Sequence, residues 1–205
     1  MPTSAISSTL NIGGMSMSSQ INRTATGVVS PQEIVLPAGK AGTLTTRTSD
    51  TVGIATLAQG HGFVQGDIVD IFWLGGRRYG VLVNSVTSTT VSFGTTTPGN
   101  GDVLPIATTA LVMTEQVTVD IVFDGDDLEA FALHCAARAH IDIQEVGGSS
   151  LLALELLASE AVYWASDNGY ANPLAAAAVG QFKLANGTAA AATTFKFSGL
   201  YDSTA

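Results

Sequence analysis

The sequence predicts an all-β protein: a jelly-roll-like β-sandwich formed by the N- and C-terminal strands, with a small β-barrel inserted between them. Three observations carry this reading. Apolar residues recur at every second position in Val117, Val119, Ile121 and Phe123, and again in Phe131, Leu133, Cys135, Ala137, Ala139, Ile141 and Ile143. That period puts each set on one face of an extended strand, whereas a helix would scatter it. The stretch from Thr43 to Val112 is rich in Thr, Val and Gly, with turn signals roughly every 8–12 residues, as in small barrels and sandwiches. Asn186-Gly187 between alternating runs is the strongest short hairpin signal. Residues 1–8 are therefore expected to form a flexible or partner-ordered arm, 9–42 and 113–205 the sandwich, and 43–112 the inserted barrel.

In chain order, Leu10/Ile12 and Met15/Met17 flank Gly13-Gly14 as a short hairpin. Glu33–Leu36 ends a strand at Pro37, which cannot donate to a ladder, and Ala38–Gly42 reads as a linker. Gly60–Phe93 reads as a three-strand meander. Ile68, Asp70 and Phe72 fall on one face of its first strand, and Val69, Ile71 and Trp73 on the other. Gly75-Gly76 offers the positive φ angles of a tight turn. Tyr79, Val81 and Val83 are expected to share a face of the return strand, and Val91 and Phe93 begin the third. A loop over Thr95–Asp102 leads to a strand at Ala110–Met113, and Asp124–Asp127 is a turn. Phe131–Ile143 reads as one strand, with an Ala-rich helix from Asp126 to Ala139 as the alternative. Leu151–Trp164 fits either a capped helix or strands bent at Ala158-Ser159. Val179–Leu184 and Thr193–Phe197 are expected to pair as a hairpin across Asn186-Gly187.

Charged residues make up 12% of the chain, about half the usual share, against 46% apolar. Such a small-residue, weakly charged surface packs well against copies of itself, so a homo-oligomer is expected. A net charge of −9 disfavours a nucleic-acid face, and Arg77-Arg78 is the one adjacent basic pair. The single cysteine, Cys135, rules out an intrachain disulfide and is expected to be a buried thiol. No uninterrupted apolar stretch reaches ~18 residues, and the N-terminus lacks the pattern of an export signal, so neither a membrane span nor Sec export is expected. Without export, the glycosylation patterns at Asn22 and Asn186 have no consequence.

The polar residues converge on no catalytic, cofactor or metal constellation, and the chain is not expected to be an enzyme. His61 has no partner histidine at ligand spacing and reads as a loop residue. His134 and His140, six apart on one predicted strand, would stand roughly 20 Å from each other. Asp124, Asp126, Asp127 and Glu129 are dense enough for calcium but lack the spacing of a helical calcium loop, leaving a solvated turn as the plainer reading. Asp67 and Asp70 fall on opposite strand faces, wrong for a carboxylate pair. Trp73, Trp164, Tyr79 and Tyr163 are either sugar-stacking platforms or anchors in the interior or at an interface.

His61-Gly62, Gly66-Asp67 and the strand Val69-Asp70-Ile71-Phe72-Trp73 together resemble a small β module of tailed-bacteriophage structural proteins. The resemblance covers about a third of the chain and departs from the module at Gly75–Tyr79. Phe195–Thr204 is similar to the closing strand of phage virion proteins. The resemblance implies a virion structural protein, a capsid-decoration, head-surface or tail component. It would assemble in the host cytoplasm with copies of itself and other virion proteins as partners. A carbohydrate-binding or adhesin module is the alternative expectation.

Overall fold

The computed structural model describes residues 3–12, 15–24, 27–94, 100–176 and 178–201, and among these no helix occurs. The strands are β1 Thr3–Ile12, β2 Met15–Thr24, β3 Gly27–Leu36, β4 Lys40–Arg47, β5 Gly53–Leu57, β6 Ile68–Trp73, β7 Gly76–Val86, β8 Thr90–Phe93, β9 Asn100–Gly101 and β10 Ala110–Glu115. They continue with β11 Val117–Phe123, β12 Leu128–Cys135, β13 Ala139–Glu145, β14 Ser150–Leu156, β15 Ala161–Ala165, β16 Val179–Asn186 and β17 Thr193–Tyr201.

Eight of these strands form two four-stranded antiparallel sheets, β15-β12-β17-β3 and β11-β16-β13-β14. The pairing is nested: β13 with β14, β12 with β15, β11 with β16, and β3 with β17. An eight-strand sandwich wound this way is a jelly roll. Alternation supplies its core, because inward residues of both sheets meet around Phe131, Phe182, Phe195 and Phe197. Cys135 is buried there as a free thiol, with Sγ 3.7 Å from the Thr193 hydroxyl.

Between the first and second sandwich strands the chain builds a closed six-stranded barrel, β4-β5-β8-β7-β6-β10 and back to β4. Closure leaves no free edge in this ring. Val69, Ile71 and Trp73 of β6, Val81 and Val83 of β7, and Val91 and Phe93 of β8 fill it, with Leu104 entering from a connecting segment. Gln116 alone separates β10 from β11, and Pro37–Gly39 separates β3 from β4. Lys40–Gly42, expected as linker, thus opens the first barrel strand.

Four further expectations are corrected. Phe131–Ile143 is two strands: β12 lies in one sheet and β13 in the other, joined by Ala136–Arg138. The alternation survives the crossing because both strands turn the same parity toward the shared core. β16 and β17 are likewise in opposite sheets and form no hairpin. Asn186 there is fully buried and holds the crossover, accepting from Thr188 N–H and donating to the Ala191 carbonyl. The β6–β7 turn is Leu74-Gly75; Gly75 has φ 83°, while Gly76 is already paired with Trp73. Finally, Tyr79 does not share a face with Val81 and Val83. Between Val69↔Val81 and Ile71↔Arg78 the return strand has one extra residue, a β-bulge in which Gly80 takes φ 62°.

The ambiguous stretch resolves into β14 and β15 around a turn at Ala158-Ser159, with Ser159 at φ 62°. At the N-terminus, β1 and β2 form a two-stranded ribbon that pairs with no other described strand. Thr3–Ser8 belong to β1, and Gly13-Gly14 lie outside the described residues. The register sets Ile6 opposite Ile21, Leu10 opposite Met17 and Ile12 opposite Met15, with Arg23 opposite Ser4. Ser7↔Gln20, Thr9↔Ser18 and Asn11↔Ser16 are intervening pairs.

Candidate functional site at the barrel–sandwich junction

The β7 bulge aims Tyr79 out of the barrel, beside the outward residues Asp70 and Phe72 of β6. This outer face docks on the outer face of β13 and β14, so groups read as solvent-facing become buried. Asp70 is completely buried. Its Oδ1 accepts from Gly80 N–H at 2.8 Å and from the Gln116 amide at 2.7 Å, while Oδ2 accepts from His140 Nδ1 at 2.7 Å. A buried carboxylate must be paired or hydrogen-bonded to be tolerated, and three donors meet that need. The pairing fixes the His140 proton on Nδ1. The Tyr79 ring lies flat on the His140 imidazole, centroids 3.5 Å apart, and Phe72 meets Tyr79 edge-on at 6.0 Å.

Arg138, from the β12–β13 corner, ties the other side. Its guanidinium donates to the carbonyls of Trp73 (3.1 Å) and Gly76 (3.2 Å), pairs with Glu155 of β14, and stands 5.0 Å above the Phe72 ring. Glu155, its side chain nearly buried, also holds Arg77 at 2.7 Å. Two contacts lie beside the linkers: the Thr114 hydroxyl donates to the Asn186 carbonyl at 2.6 Å, and Gly39 N–H to Thr188 at 2.9 Å.

Next to this cluster, a groove of about 620 Å³ runs between the barrel and the outer face of the β11-β16-β13-β14 sheet. Arg77, Tyr79 and Asp102 line it from the barrel, and Asp142, Gln144 and Lys183 from the sheet. Burial, reinforced by Glu155, pushes the Tyr79 phenol well above its ordinary pKa. Tyr79 Oη and Gln144 Oε1 are both buried without a hydrogen-bond partner among the described residues. The Gln144 amide N–H and the Ser150 hydroxyl both donate to Asp142, at 2.6 Å each.

The other sequence candidates do not converge. His61 is buried in its loop; Nδ1 accepts from Phe63 N–H at 3.1 Å, so Nε2 carries the proton and donates to the Thr87 carbonyl at 3.0 Å. His134 and His140 stand on different sheets, and His140 is buried at the junction rather than on an open polar face. Asp67 accepts from Val64 N–H at 2.8 Å within its own loop. Asp124 accepts from Asp126 N–H at 3.0 Å, and Glu129 from the Ser166 hydroxyl at 2.5 Å. Among the described residues no group of three His, Cys, Asp or Glu side chains is arranged to hold a metal. Trp73 fills the barrel and Trp164 packs on Phe131 with its indole N–H on the Tyr170 carbonyl, so neither offers an open ring face for a sugar. Sequence reasoning missed the junction because periodicity reports which residues share a face and not what covers it. The available signal was Phe72, a large aromatic on the nominally polar face of β6.

No family model matches this chain, nor does any curated protein or solved structure.

Proposed function

We propose that this chain is a structural subunit of a bacteriophage virion, a head-surface or tail component whose work is assembly with copies of itself and with other virion proteins. The observation that carries the reading is the β1–β2 ribbon, two ten-residue strands that pair with each other and with no other described strand. A lone two-stranded ribbon is marginal in water. Its register sets apolar residues opposite one another at Ile6↔Ile21, Leu10↔Met17 and Ile12↔Met15, pairs that a neighbouring copy would cover. The phage-like motif also has a physical use. Gly62 and Gly66 take φ 88° and 99°, and His61 and Asp67 pin the same loop by hydrogen bonds, framing the approach to β6.

Size-exclusion chromatography with light scattering tests the proposal on the full chain and on a chain lacking residues 1–24. The expected result is an oligomer for the full chain and a monomer of unchanged melting temperature for the truncated one. A full chain that stays monomeric at high concentration, and is absent from purified particles, would overturn it.

A further inference from the structure

We propose that the groove between the barrel and the sandwich binds an uncharged saccharide unit. The inference stands apart from the assembly reading and from the buried tryptophans. A volume of about 620 Å³ is in the range of small-ligand sites. Its walls mix hydrogen-bonding side chains with the apolar Ile68, Ala153 and Leu154, matching a sugar, which has both hydroxyl edges and C–H faces. Gln144 is 6% exposed and its Oε1 lacks a donor, while Tyr79 Oη lacks any partner. Buried orphan polar atoms are rare and call for a specific partner. One of these two atoms can only accept and the other can donate; neither is exposed as it stands, and a pair of sugar hydroxyls would satisfy both once the two side chains turn toward the groove.

Charge selects within the class. Asp102, Asp142 and Glu155 line the groove together with Arg77 and Lys183, and His140 behind them is hydrogen-bonded to Asp70. The balance leans acidic, and Arg77 is already paired with Glu155. An anionic ligand would therefore be repelled, whereas a neutral polyol meets donors and acceptors alike.

The test is calorimetric titration and saturation-transfer NMR on the full chain with glucose, galactose, N-acetylglucosamine and maltose, with glucuronate as the anionic comparison and dextran as the polymeric one. Saturable binding of at least one neutral sugar, tighter than glucuronate, is expected. Binding of free sugar, polymer or both supports the class and identifies the form that enters. Gln144→Met and Tyr79→Phe should each lower affinity at least tenfold with the melting temperature retained, while Leu74→Ser, on the exposed β6–β7 turn, leaves it unchanged. The proposal is overturned if no neutral sugar saturates, if glucuronate binds more tightly than every neutral sugar, or if binding survives both groove variants. Tyr79→Phe removes only the hydroxyl, so it remains decisive should the glutamine variant fail to fold.

Discussion

At the residue scale, a carboxylate out of contact with water is costly unless its oxygens are occupied, and Asp70 occupies both with donors from three parts of the chain. Asp70→Ala leaves a backbone N–H, an amide and an imidazole without their acceptor. Leaving a buried donor without its acceptor costs about 1–3 kcal/mol, and urea denaturation of this variant should show a drop of at least that order. Tyr79 gives a contrasting case. Its phenol pKa is raised in the folded protein, so above pH ~10 the unfolded chain releases a proton that the native one keeps. The stability it contributes is full below that pH and is lost as pH rises further. Tyr79→Phe should therefore be nearly neutral at pH 7, since it deletes a hydroxyl without a partner, and should flatten the alkaline loss seen in melts from pH 9 to 11. Neither role could be read from the sequence, where Asp70 and Tyr79 are two polar positions on alternating strands.

At the element scale, the β7 bulge decides where the junction forms. Gly80 adopts φ 62°, and an added Cβ would meet nothing within 4 Å, so a substitution there is resisted by backbone conformation alone. Gly80→Ala should cost about 1–2 kcal/mol in urea unfolding, with a changed near-ultraviolet signal as Tyr79 is re-aimed. Gly76→Ala tests a different mechanism, because its Cβ would come within 2.5 Å of the Trp73 ring. Overpacking of that kind costs roughly 1–3 kcal/mol, and intrinsic tryptophan fluorescence should report the displaced ring. The elements themselves were legible in the sequence wherever period two ran between turn residues, as in β6, β8, β11 and β12. Their partners were not. Asn186-Gly187 and the unbroken alternation from Phe131 to Ile143 look like a hairpin and one long strand, yet both are crossings between sheets. A shared core keeps the same parity on either side of a crossing, so alternation alone cannot reveal it.

At the scale of the whole molecule, two separate apolar cores are joined by short linkers and a buried polar patch. The patch, more than the linkers, is expected to couple their unfolding. Calorimetry should show a single transition for the native chain and two for a double variant, Asp70→Ala with Arg138→Ala, as the barrel uncouples from the sandwich. The nested pairing sets a slow pace for folding. β3 finds its place only beside β17, at the far end of the chain, so refolding in the range of about milliseconds to seconds, or slower, is expected in stopped-flow fluorescence.

β3 has the ribbon attached at its Gly27 end and the barrel at its Leu36 end, and between them it is zipped to β17 over nearly its whole length. Tension applied through the ribbon and carried out through the barrel would run along this strand. That path follows the covalent backbone of an already extended strand, so the ladder hydrogen bonds to β17, which lie across it, are left largely unloaded. The molecule would then be mechanically tough along that line and weaker when tugged at right angles to it.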